Sequence, residues 1–246
     1  MKAKKETVIY GRHPVVDVIK TGKSIDQVML QKGTRGEYEI ELRHLCREYK
    51  IPLKMVPKDR LAKVTTGNHQ GVVAFLSPIN YYRLSDVLPM LYEQSKIPLI
   101  LLLDGVTDVR NFGSIARSAE CCGVDAIVIP EKGTARINSD ALKTSAGALG
   151  KIPVCRETSI QAAVEFLQLS GIQVLASDLR GEKKIQELDL IGPTAYLIGS
   201  EDEGVSPHLL RKADECFIIP QIGTTDSFNV SVATGIMLYE AVRQRS

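Results

Sequence analysis

Short continuous apolar runs alternate along this chain with stretches whose apolar positions fall three or four residues apart. From residue 98 onward the runs are Leu99–Leu103, Ala126–Ile129, Ile172–Ala176, Ala195–Ile198 and Cys216–Ile219. They do not alternate with polar residues, which is the pattern of parallel strands covered on both faces. Between and after them the spacing predicts helices over 113–122, 139–147, 158–170, 205–212 and 230–243. Strand and helix in alternation predict an α/β fold, a doubly wound parallel sheet. The first 77 residues predict a smaller α/β module. Its strands are expected at VIYG (8–11), Gln27–Leu30, Leu53–Val56 and Gly71–Leu76. A short helix is expected from Pro14 through Ile19. A second, over about 37–49, places Leu42, Leu45, Cys46 and Tyr49 on one face. Residues 78–97, punctuated by Pro78 and Pro89, read as a linker with room for a short helix over Leu84–Tyr92. The expected division is therefore 1–77, a linker 78–97, and 98–246.

Charge sharpens that division. Net charge is +2 over 246 residues, but residues 1–80 hold 15 Lys+Arg against 8 Asp+Glu, and the remainder 16 against 21. A +7 module joined to a −5 module points to a polyanionic partner for the first, although a lysine-rich surface also serves solubility alone. Lys54, Lys58, Arg60 and Lys63 lie near an uncharged loop, TTGNHQG (65–71), whose His69 can add a hydrogen bond. The charged start is not a secretory signal. The longest apolar run, Leu99–Leu103, is far below the ~20 residues that cross a bilayer, so no membrane partner is expected. Five cysteines without a CxxC spacing suggest a reduced, cytoplasmic chain. Four scattered histidines form no local metal motif.

Candidate chemistry sits in three loops that follow predicted strands, where open parallel sheets place ligands. In the first, LLLDGVTDVRNFGSIARSAECCG (101–123), Asn111 stands where it can cap the following helix and Arg117 points off that helix's buried face. A cap and a surface arginine would account for both. In the second, a strand ends in Gly199-Ser200-Glu201, with glycines at 199 and 204 that let backbone approach a ligand. Acids at a helix start also suit the helix dipole. In the third, 219–229, Asp226, Ser227 and Asn229 are more polar groups than capping uses. Nucleotide motifs fail: SAGALGKI (145–152) lacks the phosphate loop's first glycine and its Ser/Thr, and no GxGxxG or GxSxG follows a strand.

Together, RNFGSIARSA, the GSExxG of 199–204 and the IPxxG…SFNVSVA of 219–233 resemble the three ordered motifs of the SpoU (TrmH-type) RNA ribose 2'-O-methyltransferases. Residues 1–77, including the HQG of 69–71, resemble that family's small substrate-binding domain. The resemblance implies a SPOUT catalytic domain with a C-terminal trefoil knot, preceded by a ribosomal-protein-L30e-like domain. It implies S-adenosylmethionine held around Gly199, Ile219 and Phe228, and a catalytic set of Arg117, Asn111, Glu201, Ser227 and Asn229. It implies a homodimer. Within the family the strongest likeness is to members that methylate a guanosine in the peptidyl-transferase region of 23S rRNA. A tRNA enzyme of the same family, and a non-catalytic RNA-binding protein of the same fold, stand as alternatives. Val109, Phe228 and Asp202 depart from the proline, leucine and glycine that many members carry there. Gly235, inside the last predicted helix, is expected to serve tight packing in the knot and the dimer.

Overall fold

The computed structural model describes residues 8–135, 137–179 and 181–246. Residues up to Asn80 group as one compact unit and the bulk of the chain from Tyr81 on as another.

The first unit runs β1 (Val8–Tyr10), α1 (Arg12–Lys20), β2 (Ile25–Gln31), α2 (Glu37–Glu48), β3 (Leu53–Val56), α3 (Lys58–Ala62), β4 (Val72–Leu76). Its sheet has the order β1-β4-β2-β3, with β4 antiparallel to β1 and β2, and β3 parallel to β2. Successive strand residues face opposite sides, which explains the unbroken apolar run of β4. Val72 and Ala74 pack with Val15, Ile19, Leu42 and Leu45 of the helices. Val73 and Phe75 pack on the other face with Met29, Val56 and Leu61. The five-residue α3 is too short to show a periodicity in the sequence.

The second unit comprises β5 (Tyr81–Tyr82), α4 (Leu84–Glu93), β6 (Leu99–Leu103), α5 (Val109–Cys121), β7 (Ala126–Pro130), α6 (Ser139–Thr144), β8 (Val154–Glu157), α7 (Ile160–Leu169), β9 (Gln173–Ser177), β10 (Lys183–Lys184), β11 (Thr194–Ile198), α8 (Pro207–Leu210), β12 (Glu215–Ile218) and α9 (Val230–Arg245). The eight strands lie in the order β10-β12-β9-β11-β6-β7-β8-β5, and every neighbouring pair is parallel. All five residues of β6 and of β11 are buried. The order turns back between β6 and β11: β7 and β8 follow β6 outward on one side, while β9, β11 and β12 fill the other. Such a switch point opens a crevice at the carboxyl ends of the strands.

Two sequence expectations change here. Residues 81–93, expected within a linker, are part of the second unit: β5 pairs with β8, and Leu84, Val87, Leu88 and Leu91 of α4 enter its core. A strand at 154–157 is not legible in the sequence, because Arg156 interrupts the apolar run. That arginine is nevertheless buried, its guanidinium carbon 3.4 Å from the centre of the Tyr81 ring, so β5 supplies the aromatic surface that lets β8 carry a charge inside.

Candidate active site

Three loops at the carboxyl ends of β6, β11 and β12 build the site. After β6 the ladder continues one step, the Asp104 amide donating to the Ile198 carbonyl at 2.7 Å. Asp108 then caps α5, accepting from the backbone N–H groups of Arg110 and Asn111 at 2.8 Å each. The expectation of a cap at Asn111 is corrected accordingly. Because Asp108 takes that role and the helix begins earlier, Asn111 falls in the first turn with its carboxamide available for other partners.

After β11 the chain makes a tight two-bond turn, Ser200 and Gly204 each donating to the other's carbonyl at 3.0 Å. Gly199 is the hinge of this turn. A Cβ there would lie 1.9 Å from the Gly204 carbonyl carbon, so no other residue fits. The turn presents Glu201. After β12 the chain runs through 219–228 to Asn229, which caps α9 by accepting from the Ser231 amide at 3.0 Å and its hydroxyl at 2.6 Å.

These three side chains meet. Glu201 accepts from the Asn111 carboxamide at 2.8 Å through Oε2 and from the Asn229 carboxamide at 2.6 Å through Oε1. Asn229 also donates to Oδ1 of Asn111 at 3.2 Å. Residues 90 and 28 positions apart from Glu201 are thereby locked into one polar cluster. Beside it lies a cavity of about 520 Å³, within the range of small-molecule and cofactor sites. Gly199, Glu201, Ile219, Ser227 and Phe228 all line it. Ser227 has no hydrogen-bond partner among the described residues. Arg117 is exposed on α5, six residues beyond Asn111, and has neither hydrogen bond nor ion pair among the described residues.

The cavity also takes Ser177, Asp178 and Leu179 from the end of β9, which sequence reasoning misses. A signal is present, a Ser-Asp pair closing a buried strand of a parallel sheet. In the first unit Lys54, Lys58, Arg60 and Lys63 are exposed and His69 is half-buried. Nδ1 of His69 accepts from the Gly71 amide at 3.0 Å. Of that set, Lys58 and His69 line a common concavity. Among the described residues no group of three or more His, Cys, Asp or Glu could hold a metal ion, and no helix is long and apolar enough to cross a membrane.

Residues 98–239, which contain all three loops, match the model of the SpoU rRNA methylase family. The chain belongs to that family. Its members are RNA methyltransferases, and residues 8–82 of this SpoU protein match a second model, the substrate-binding domain of RNA 2'-O ribose methyltransferases. A Staphylococcus saprophyticus protein assigned to the TrmH family of tRNA/rRNA methyltransferases is 33% identical over 241 residues, covering 98% of this chain and 97% of that relative. Among solved structures, an AdoMet-bound rRNA methyltransferase from Sinorhizobium meliloti superposes with a TM-score of 0.62 at 26% identity, over 96% of this chain and 86% of that one. The A. aeolicus TrmH/SpoU tRNA modifying enzyme is 34% identical with a TM-score of 0.55, over 65% of this chain and 83% of that one.

Proposed function

We propose that the protein transfers a methyl group from S-adenosylmethionine to the ribose 2'-oxygen of a guanosine in 23S rRNA, as RlmB-type members of the family do. One observation carries the reading: a cofactor-sized cavity shares Glu201 with the Asn111–Glu201–Asn229 cluster. The cavity's chemistry fits the cofactor. Ile198, Ile219, Val230 and Met237 offer an apolar surface for an aromatic base, the Gly199 backbone is bare, and Asp178, Glu201 and Asp226 favour a cationic ligand. When bound, the cofactor supplies an electrophilic methyl group on a sulfonium.

The chain's own groups would then position and stabilise. Both oxygens of Glu201 already accept carboxamide protons, so its role is to hold Asn111 and Asn229 rather than to take the hydroxyl proton. Ser227 and Asn229 orient the ribose. Arg117, without a partner among the described residues, clamps the RNA phosphate and stabilises negative charge developing on the 2'-oxygen. It is not a base, since its guanidinium stays protonated. Lys54, Lys58, Arg60, Lys63 and His69 hold RNA to the first unit, residues 1–77, and residues 98–246 do the chemistry.

Two architectural proposals go with this. The C-terminal segment is threaded as a trefoil knot, a rare arrangement. It is supported by α9 returning from β12, beyond β9, to pack against α5. The protein works as a homodimer in the cytoplasm. Support comes from the outer face of α9, where Val232 is 50% and Tyr239 67% exposed beside a 39% exposed Phe228. Gly235 belongs to that face. A Cβ there would meet Ser118 Oγ only at 3.8 Å, so packing within the chain leaves room for one, and the glycine is kept for the close approach of a second copy.

The test is incubation with methyl-labelled S-adenosylmethionine and protein-free 23S rRNA. One guanosine 2'-oxygen should be labelled. Label on a base overturns the reaction, label on tRNA alone overturns the substrate, and no label with any RNA overturns both.

A further inference from the structure

The first unit contains a polar concavity of about 550 Å³ formed where the 65–71 loop passes the start of α1 and the end of β2. Its side chains are Arg12, Gln31, Lys58, Asn68, His69 and Gln70, and no carboxylate lines it. The loop is held in place by close backbone approach. A Cβ on Gly67 would sit 2.5 Å from the Tyr10 ring. Gln70 occupies the left-handed region at φ 47°, an unusual conformation for a residue with a side chain. It is fixed by the Arg12 backbone amide donating to its Oε1 at 3.0 Å.

What the fold leaves open is more informative than what it closes. Lys58, Gln31 and Asn68 have no side-chain partner among the described residues, and the Nε2 group of Gln70 has none either. The Arg12 guanidinium lies 5.0 Å over the Tyr38 ring, which steadies it without using its N–H donors. Since Nδ1 of His69 accepts a bond, Nε2 is the ring nitrogen that can donate outward. Lys20 and Arg43 of the same unit, by contrast, are paired, with Glu41 at 2.9 Å and with Glu39 at 2.7 Å. Strained backbone is kept where function over-determines it, and here it holds unsatisfied donors around a hollow.

We propose that this concavity takes one unpaired nucleotide of the substrate RNA. Its phosphate lies on Arg12 and Lys58, and its base edge is read by the carboxamides of Gln31, Asn68 and Gln70. Carboxamides both donate and accept, as base edges do. A base in a duplex has its pairing edge occupied, so recognition of this kind selects loops and bulges. The first unit therefore selects a substrate by the presence of an unpaired residue as well as by charge. This deepens, and rests on, the reading of the protein as an RNA methyltransferase.

The full-length protein is titrated with a labelled RNA hairpin carrying an unpaired loop, with a fully paired duplex of the same stem, and with guanosine monophosphate. The hairpin should bind at least about tenfold tighter than the duplex, the worth of one charge-assisted hydrogen bond. Arg12→Ala and Asn68→Ala should each bring it to the duplex level without altering S-adenosylmethionine affinity by calorimetry. If Arg12→Ala does not fold, Asn68→Ala, at an exposed loop position, decides. The proposal is overturned if wild type binds hairpin and duplex alike, if both variants keep the preference, or if the free monophosphate binds as tightly as the hairpin. Methyl transfer is scored separately. A hairpin preference without any labelled RNA would defeat the enzymatic reading and leave this one standing.

Discussion

The two units treat their polar groups in opposite ways. In the second, Asn111, Glu201 and Asn229 are drawn from three distant loops and satisfied by one another. In the first, the concavity at 65–71 is rimmed by donors without partners among the described residues. The difference is one of reorganisation. Groups linked in advance need not move when the reacting atoms arrive, which is where electrostatic catalysis gains most. Groups meant to bind a polyanion gain from being unlinked, because an internal partner would have to be displaced first. Arg117 crosses the divide, sitting in the second unit yet, like Lys58 of the first, without a partner among the described residues.

Arg117 is therefore the sharpest place to break the comparison. Arg117→Ala should lower turnover by about 10²–10³-fold, the usual loss for a donor to developing negative charge, with cofactor affinity by calorimetry unchanged. Parallel loss of cofactor binding would assign it to the pre-linked set. Gly199→Ala is the complementary test. Its Cβ would meet the Gly204 backbone at 1.9 Å, and overpacking of about 3 kcal/mol predicts roughly 100-fold weaker S-adenosylmethionine binding with RNA affinity retained. In the first unit, replacing Lys58, Arg60 and Lys63 together should leave cofactor binding alone and flatten the salt dependence of RNA affinity. The log–log slope should fall by about one for each phosphate that is no longer neutralised. An unchanged slope would remove these cations from the RNA interface.

The smallest effect concerns the cores. Cys46 in the first unit and Cys155 in the second are buried, and burial pushes each thiol up to about 12. A folded pKa above the unfolded one favours the protonated folded state. The contribution is complete below the unfolded thiol pKa near ~8.5 and disappears as pH rises from there towards 12. Urea midpoints measured between pH 8 and 10, before buried tyrosines titrate, should fall with rising pH. Cys46→Ala and Cys155→Ala should each remove part of that fall.

How far the sequence can be read depends on whether a feature is local. Buried parallel strands announce themselves, and β6, β7, β9, β11 and β12 are all legible as unbroken apolar runs. β8 and β5 are not, because the buried Arg156 lies against the ring of Tyr81, about 75 residues away in sequence, and no window contains both. The loops bearing Asn111, Glu201 and Asn229 can be found because each follows a strand. Their mutual hydrogen bonds cannot, nor can the displacement of Asn111 from the cap by Asp108. Asp178 escapes notice although its position at the end of β9 is local. Arg12 and Gln31 escape for the opposite reason, since only the fold brings them beside His69.

The strand order has a consequence in time. β11 must enter between β9 and β6, both already synthesised, and β12 must then return to the far side of β9. The last member of the polar cluster, Asn229, is also the cap of the final helix. A ribosome adding about 5–20 residues a second thus completes the strands and helices of the first unit on the order of 10 s before the chemistry of the second can exist. On the function proposed above, a newborn chain holds RNA well before it can modify it.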